Sequence, residues 1–69
     1  MPYYIINDEK TDGRYNEIHV TTCSHCPAEK HQVKLGWHSD AVDAKAYAKK
    51  NGFPDADGCG FCSREAHRG

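Results

Sequence analysis

Four cysteines, arranged as Cys23-Ser-His-Cys26 and Cys59-Gly-Phe-Cys62, are the residues of this chain whose type and spacing could do chemistry. Two cysteines held two residues apart can turn both sulfurs toward one ion from a tight knuckle. Backbone N–H groups in the turn then point at the thiolates. Two such pairs supply four soft ligands, the tetrahedral set that zinc takes in closed structural sites. The spacing makes Cys23, Cys26, Cys59 and Cys62 the leading metal set. His19, four residues before Cys23, competes with Cys26 for the fourth position. His25 and His67 are weaker claimants, and His31 and His38 read as surface residues. A filled four-ligand site leaves no open position for a catalytic water. No Ser-His-Asp, paired-carboxylate or phosphate-loop arrangement is recognisable. Four thiolates can also hold iron, so a rubredoxin-like electron carrier is an alternative that spacing does not separate from zinc.

The chain needs such a staple. It has 69 residues, 38% of them hydrophobic, and much of that fraction is alanine. One small domain, residues 1–69, is expected. Domains of this size bury only about 60% of their unfolded surface, so a disulfide or metal cross-link usually supplements the core. The N-terminal MPYYIINDEK lacks a basic segment followed by a long apolar run. A cytoplasmic setting without membrane attachment is therefore expected, where paired cysteines read as metal ligands before disulfides. The net charge of −1 argues against a strongly electrostatic nucleic-acid binder. Lys30, Arg64 and Arg68 are candidates to offset thiolate charge.

The elements that must position the cysteines form a small α+β zinc-stapled domain. Tyr3–Asn7 and Arg14–Val20 are rich in β-branched and aromatic residues, and Asp12-Gly13 between them has the chemistry of a hairpin turn. A third strand, residues 32–37, puts Val33, Leu35 and Trp37 on one face of a short antiparallel sheet. The main helix is expected at residues 40–51. Ser39 offers a cap, Asp40 and Asp43 lie in the first turn, and Lys45, Lys49 and Lys50 lie toward the end. Asn51-Gly52 stops it, with Phe53 folding back on Ala48. Its inner face is Ala41, Ala44, Tyr47 and Ala48. Gly58 and Gly60 allow unusual backbone angles around the second knuckle, and a short helical turn follows Cys62.

The segments IHVTTC, LGWHSDAVDAKAYAKKNGF and GCGFC, within residues 18–62, together resemble the zinc module of Ada-type alkylation-repair proteins. They also resemble small bacterial proteins that end in Asp-Gly-Cys-x-x-Cys. The first resemblance implies a ligand-x-x-x-Cys pair, a short strand, a capped alanine-rich helix and a final Cys-x-x-Cys. Carried over by position, it implies His19, Cys23, Cys59 and Cys62 on the metal, with Cys26 spare. In that family a zinc-bound cysteine accepts a methyl group from a DNA phosphotriester. The acceptor's position falls on His19 here, so the resemblance implies a fold and a metal site without that thiolate. The expected function is a small zinc-knuckle binding module without catalytic activity, monomeric, contacting a protein or nucleic acid. The alternatives are a zinc-thiolate alkyl acceptor or a thiol redox protein.

Overall fold

The computed structural model describes residues 1–68. Four strands and one helix follow in the order β1 (Tyr3–Asn7), β2 (Asn16–Val20), β3 (Gln32–Trp37), α1 (Ala41–Lys50) and β4 (Ala56–Gly58). Single 3₁₀ turns lie at Glu29–His31 and Arg64–Ala66. The sheet order is β3-β1-β2-β4. β1 is antiparallel to both β2 and β3, while β4 runs parallel to β2.

The β1–β2 hairpin turns through Asp12 and Gly13, whose φ angles of 53° and 70° are the two positive values that a twisted two-residue turn requires. The Arg14 amide donates to the Thr11 carbonyl at 3.0 Å across it. β2 therefore starts at Asn16 rather than Arg14, since Arg14 is spent on the turn. Tyr15 makes only an isolated bridge to Thr11.

β3 departs from simple alternation. Tyr4 pairs with Gly36 and Ile5 with Lys34, leaving Leu35 as the extra residue of a bulge. Gly36 accommodates it at φ 92°. The bulge rephases the strand, so Leu35 is buried while Trp37 is 65% exposed and packs edge-on against Tyr3, its partner across β1. Val33, opposite Ile6 on this edge strand, is also partly open. The expected shared face of Val33, Leu35 and Trp37 is thus divided by one inserted residue.

α1 is capped by Asp40 rather than Ser39. The Asp40 carboxylate accepts the Asp43 amide at 2.8 Å. Glu65, from the C-terminal turn, accepts the Ala41 amide at 3.1 Å, so the tail satisfies a second N-terminal donor of the helix. At the other end the Phe53 amide reaches the Ala48 carbonyl at 3.0 Å, with Gly52 at φ 99°. Ala41, Ala44 and Ala48 are fully buried against Tyr4, Ile6, Ile18 and Leu35, with Ala56 and Ala66 completing the core. Tyr47 turns outward from this face and is 44% exposed. His38 is buried instead of lying on the surface. Its Nδ1 is 2.8 Å from Asp43 Oδ2 and its Nε2 is 2.8 Å from the Leu35 carbonyl. His31 remains partly exposed between Asp8 and Glu9. Alanine contributes about one methyl group's worth of burial, roughly 0.8 kcal/mol. Such a helix lies close to the sheet yet stabilises it little, which leaves the fold dependent on what joins its ends.

Candidate metal centre

β2 supplies the first candidate ligand. Ile18 points toward α1, so the pleat turns His19 to the opposite face, beside Ile5, where it is 1% exposed. Its Nδ1 faces Cys62 Sγ at 3.9 Å, and Glu17 Oε1 stands 3.6 Å from Nε2. A carboxylate behind the far nitrogen is the usual setting of a ligating imidazole. Burial, and secondarily the charge of His25, push the His19 pKa below its ordinary value, favouring the neutral form that binds metal.

The knuckles are built alike. In the first, the Cys23 amide donates to the Val20 carbonyl at 3.1 Å, and the His25 amide donates to Cys23 Sγ at 3.4 Å. In the second, the Cys59 amide continues the β2–β4 ladder onto the Ile18 carbonyl at 2.9 Å. There the Phe61 amide donates to Cys59 Sγ at 3.4 Å. The Val20 amide donates to Cys62 Sγ at 3.4 Å, and Ser63 Oγ lies 3.5 Å from the same sulfur. Each of three sulfurs thus meets a backbone N–H, the arrangement that stabilises a thiolate. The side chains at the third position of each knuckle, His25 and Phe61, stack with centroids 3.9 Å apart and planes 13° apart.

One ligand atom each from His19, Cys23, Cys59 and Cys62 lies within 4.8 Å of every other. Zinc bonds of about 2.3 Å to sulfur and 2.0 Å to nitrogen put tetrahedral ligand atoms roughly 3.5–3.8 Å apart, so a small contraction closes this group on an ion. The donor set, one neutral imidazole and three amide-supported sulfurs, fits a metal. Of the two fourth-ligand candidates, the structure brings His19 into the group and leaves Cys26 outside it. Cys26 Sγ instead donates to the Val20 carbonyl at 3.2 Å. Burial, then the nearby Cys23 and Cys62 sulfurs, push its pKa up. His67 lies against the Gly58 carbonyl at 2.9 Å, away from the cluster.

β4 brings the second knuckle to β2, and its glycine has a different role from the one its type suggests. Neither Gly58 nor Gly60 has positive φ. A methyl group on Gly58 would collide with the Ser63 carbonyl oxygen and come within 2.8 Å of Ala66 Cβ. Absence of a side chain there, rather than backbone freedom, lets the C-terminal turn pack on the strand. Asp57, 3% exposed, fastens the same tail. It receives Lys45 Nζ at 3.0 Å and the Arg68 amide on both oxygens, at 3.0 and 3.1 Å. Lys45 also donates to the Ala66 carbonyl at 3.0 Å. Lys30 and Arg64 are exposed, and Arg68 engages through its backbone. The groups that meet the three clustered cysteine sulfurs among the described residues are therefore amides, the Ser63 hydroxyl and the His19 ring, not those cations. Glu17, Ser63, Asp57 and Glu65 were not singled out by sequence; only the Asp-Gly-Cys run hinted at Asp57.

Searches against protein-family models, characterised proteins and solved structures find no match to this chain. No helix among the described residues is long and apolar enough to cross a membrane.

Proposed function

We propose that the chain is a zinc-stapled binding module in which His19, Cys23, Cys59 and Cys62 hold one structural ion. The observation that carries this reading is the convergence of these four ligand atoms within 4.8 Å, with a backbone amide on each sulfur. The ion would bring the three ligand thiolates of the two knuckles together and neutralise part of their charge. With four protein ligands it has no vacancy for substrate, which supports a structural rather than a catalytic metal. A rubredoxin-like iron centre draws on four thiolates, and the clustered set has three. The same four residues are those that the resemblance to the alkylation-repair zinc module implies, with imidazole at the methyl-acceptor position. That substitution supports a binding role over alkyl acceptance.

The partner is a protein or nucleic acid engaging exposed rings. Two pairs are available, Tyr3 with Trp37 and His25 with Phe61, the latter formed by the tips of the two knuckles. Phe61 is 71% exposed despite its stack, an arrangement suited to a second ring or an apolar side chain.

Native mass spectrometry with metal analysis tests the core of the proposal. One zinc per chain and one freely titratable thiol, Cys26, are expected. Treatment with a strong chelator should abolish the dispersed NMR spectrum, because structural zinc in small domains contributes roughly 10–16 kcal/mol of apparent free energy. A metal-free chain that keeps its folded spectrum would overturn the reading.

A further inference from the structure

The spare cysteine is poised beside a ligand rather than isolated. The Cys26 amide donates to the Cys23 carbonyl at 3.3 Å, closing a four-residue turn. Such turns hold their end Cα atoms within about 7 Å, close to the roughly 4.4–6.8 Å that a disulfide spans. The Cys23 amide and the Cys26 thiol converge on one acceptor, the Val20 carbonyl, at 3.1 and 3.2 Å. Cys23 and Cys26 are partly exposed, and the residues between them, Ser24 and His25, are exposed, so a small reagent can approach. In the other knuckle Cys59 is 2% exposed.

We propose that Cys23 and Cys26 form a thiol–disulfide site that reacts with low-molecular-weight disulfides and releases the metal as it closes. The inference rests on the metal reading above, since Cys23 must be a ligand for its oxidation to open the centre. In the first step the Cys23 thiolate attacks one sulfur of the disulfide RS–SR. The Cys23 S–SR bond forms, the RS–SR bond breaks, and RS⁻ leaves. In the second step Cys26 sulfur attacks the Cys23 sulfur of that mixed disulfide. The Cys23–Cys26 bond forms, the second RS group departs, and the Cys26 proton leaves with it as RSH. Two cysteines lose two electrons in total, and one external disulfide gains them as two thiol equivalents. His19, Cys59 and Cys62 would remain as ligands, a set of three that would hold a metal too weakly to keep it. A reducing dithiol together with free metal reverses the sequence.

Cys26 makes the reaction directional. A mixed disulfide on Cys23 alone is reversed by free thiol in the medium, whereas an adjacent cysteine resolves it at the high effective concentration of an intramolecular reaction.

The test uses the full metal-loaded chain in a buffer of glutathione and glutathione disulfide. Bound metal is read by native mass spectrometry and cysteine state by intact mass and peptide mapping. Wild type is expected to lose its metal and two hydrogen atoms together, with the disulfide mapping to Cys23 and Cys26. Cys26→Ser keeps a donor for the Val20 carbonyl, and its metal content before oxidation verifies that it is folded. It is expected to retain its metal in the same buffer, because free thiol reverses a mixed disulfide on Cys23 that no neighbouring cysteine resolves. Metal loss from Cys26→Ser at the wild-type rate, or a disulfide mapping to Cys59 and Cys62, would overturn the inference while leaving the metal site intact. Absence of metal before the redox buffer is added would overturn the metal reading itself, and with it this one.

Discussion

Replacing Gly58 by alanine tests whether close approach at β4 shapes the metal centre. The added methyl would overlap the Ser63 carbonyl oxygen and stand 2.8 Å from Ala66 Cβ and 2.9 Å from the Ala66 carbonyl carbon. Ordinary contacts begin near 3.4 Å, so the turn at Arg64–Ala66 must retreat by at least about half an ångström. That turn cannot move alone. The Ser63 amide holds the Cys59 carbonyl at 3.0 Å, and the adjacent Cys62 sulfur takes the Val20 amide at 3.4 Å. Overpacking of this kind costs about 1–3 kcal/mol. In a domain of this size each kcal/mol lowers Tm by roughly 4–8 °C, so the expected drop is roughly 5–20 °C at fixed metal concentration. A competitive chelator titration should show weakened metal binding in parallel. Gly60→Ala is the control, because its methyl would lie 3.6 Å from the His67 ring, an ordinary contact. Its expected effect is within about 0.5 kcal/mol of wild type. Circular-dichroism melts of both variants decide the matter. Equal Tm values for Gly58→Ala and Gly60→Ala would refute the reasoning from steric space.

His19→Ala should lose stoichiometric metal binding while Cys26→Ser keeps it, as read by native mass spectrometry; the reverse pattern would restore the four-cysteine set. Acidification should weaken the apo-to-holo transition through His19. Above its ordinary pKa of 6.5 the imidazole is neutral whether the chain is folded or unfolded. Below 6.5 the unfolded chain takes up a proton that the folded site resists, so stability falls as pH drops toward the lowered folded value. Chelator competition between pH 7 and 5 measures this, and His19→Cys should shift the profile. Lys45→Met strips the ammonium from buried Asp57 and should cost about 3 kcal/mol in chemical denaturation, with Asp57→Asn recovering part of the loss in the double variant.

The three long strands and the helix were legible because β-branched runs, turn chemistry and capping residues repeat over several positions each. The fourth strand was not. Ala56-Asp57-Gly58 is short and contains two residues that sheets disfavour, and its place is set by parallel pairing with β2 far away in sequence. The bulge at Leu35 escaped for a related reason, since alternation is visible in a sequence and an inserted residue is not. At the metal centre, spacing named Cys23, Cys59 and Cys62 but could not choose between Cys26 and His19. That choice depends on which face of β2 the imidazole occupies, a matter of register between Ile5 and His19. The burial of His38 is not legible in sequence because its two partners, Asp43 and the Leu35 carbonyl, come from different elements.

The parallel register that sets Ile18 opposite Gly58 also determines how the ligands cooperate. His19 and Cys23 lie on one side of a long excursion of chain, Cys59 and Cys62 on the other. An ion held by either pair alone leaves that excursion free to wander. An ion held by both removes the loop-closure entropy of residues 24–58 from the unfolded ensemble, about 4 kcal/mol by the chain-entropy relation for a covalent cross-link of that span. The β2–β4 ladder, as it forms, brings the two halves to adjacent positions and raises the effective concentration of the second pair for the first. Strand pairing and metal capture are therefore coupled, and any change that frays β4 should be felt at the ion even when no ligand is touched.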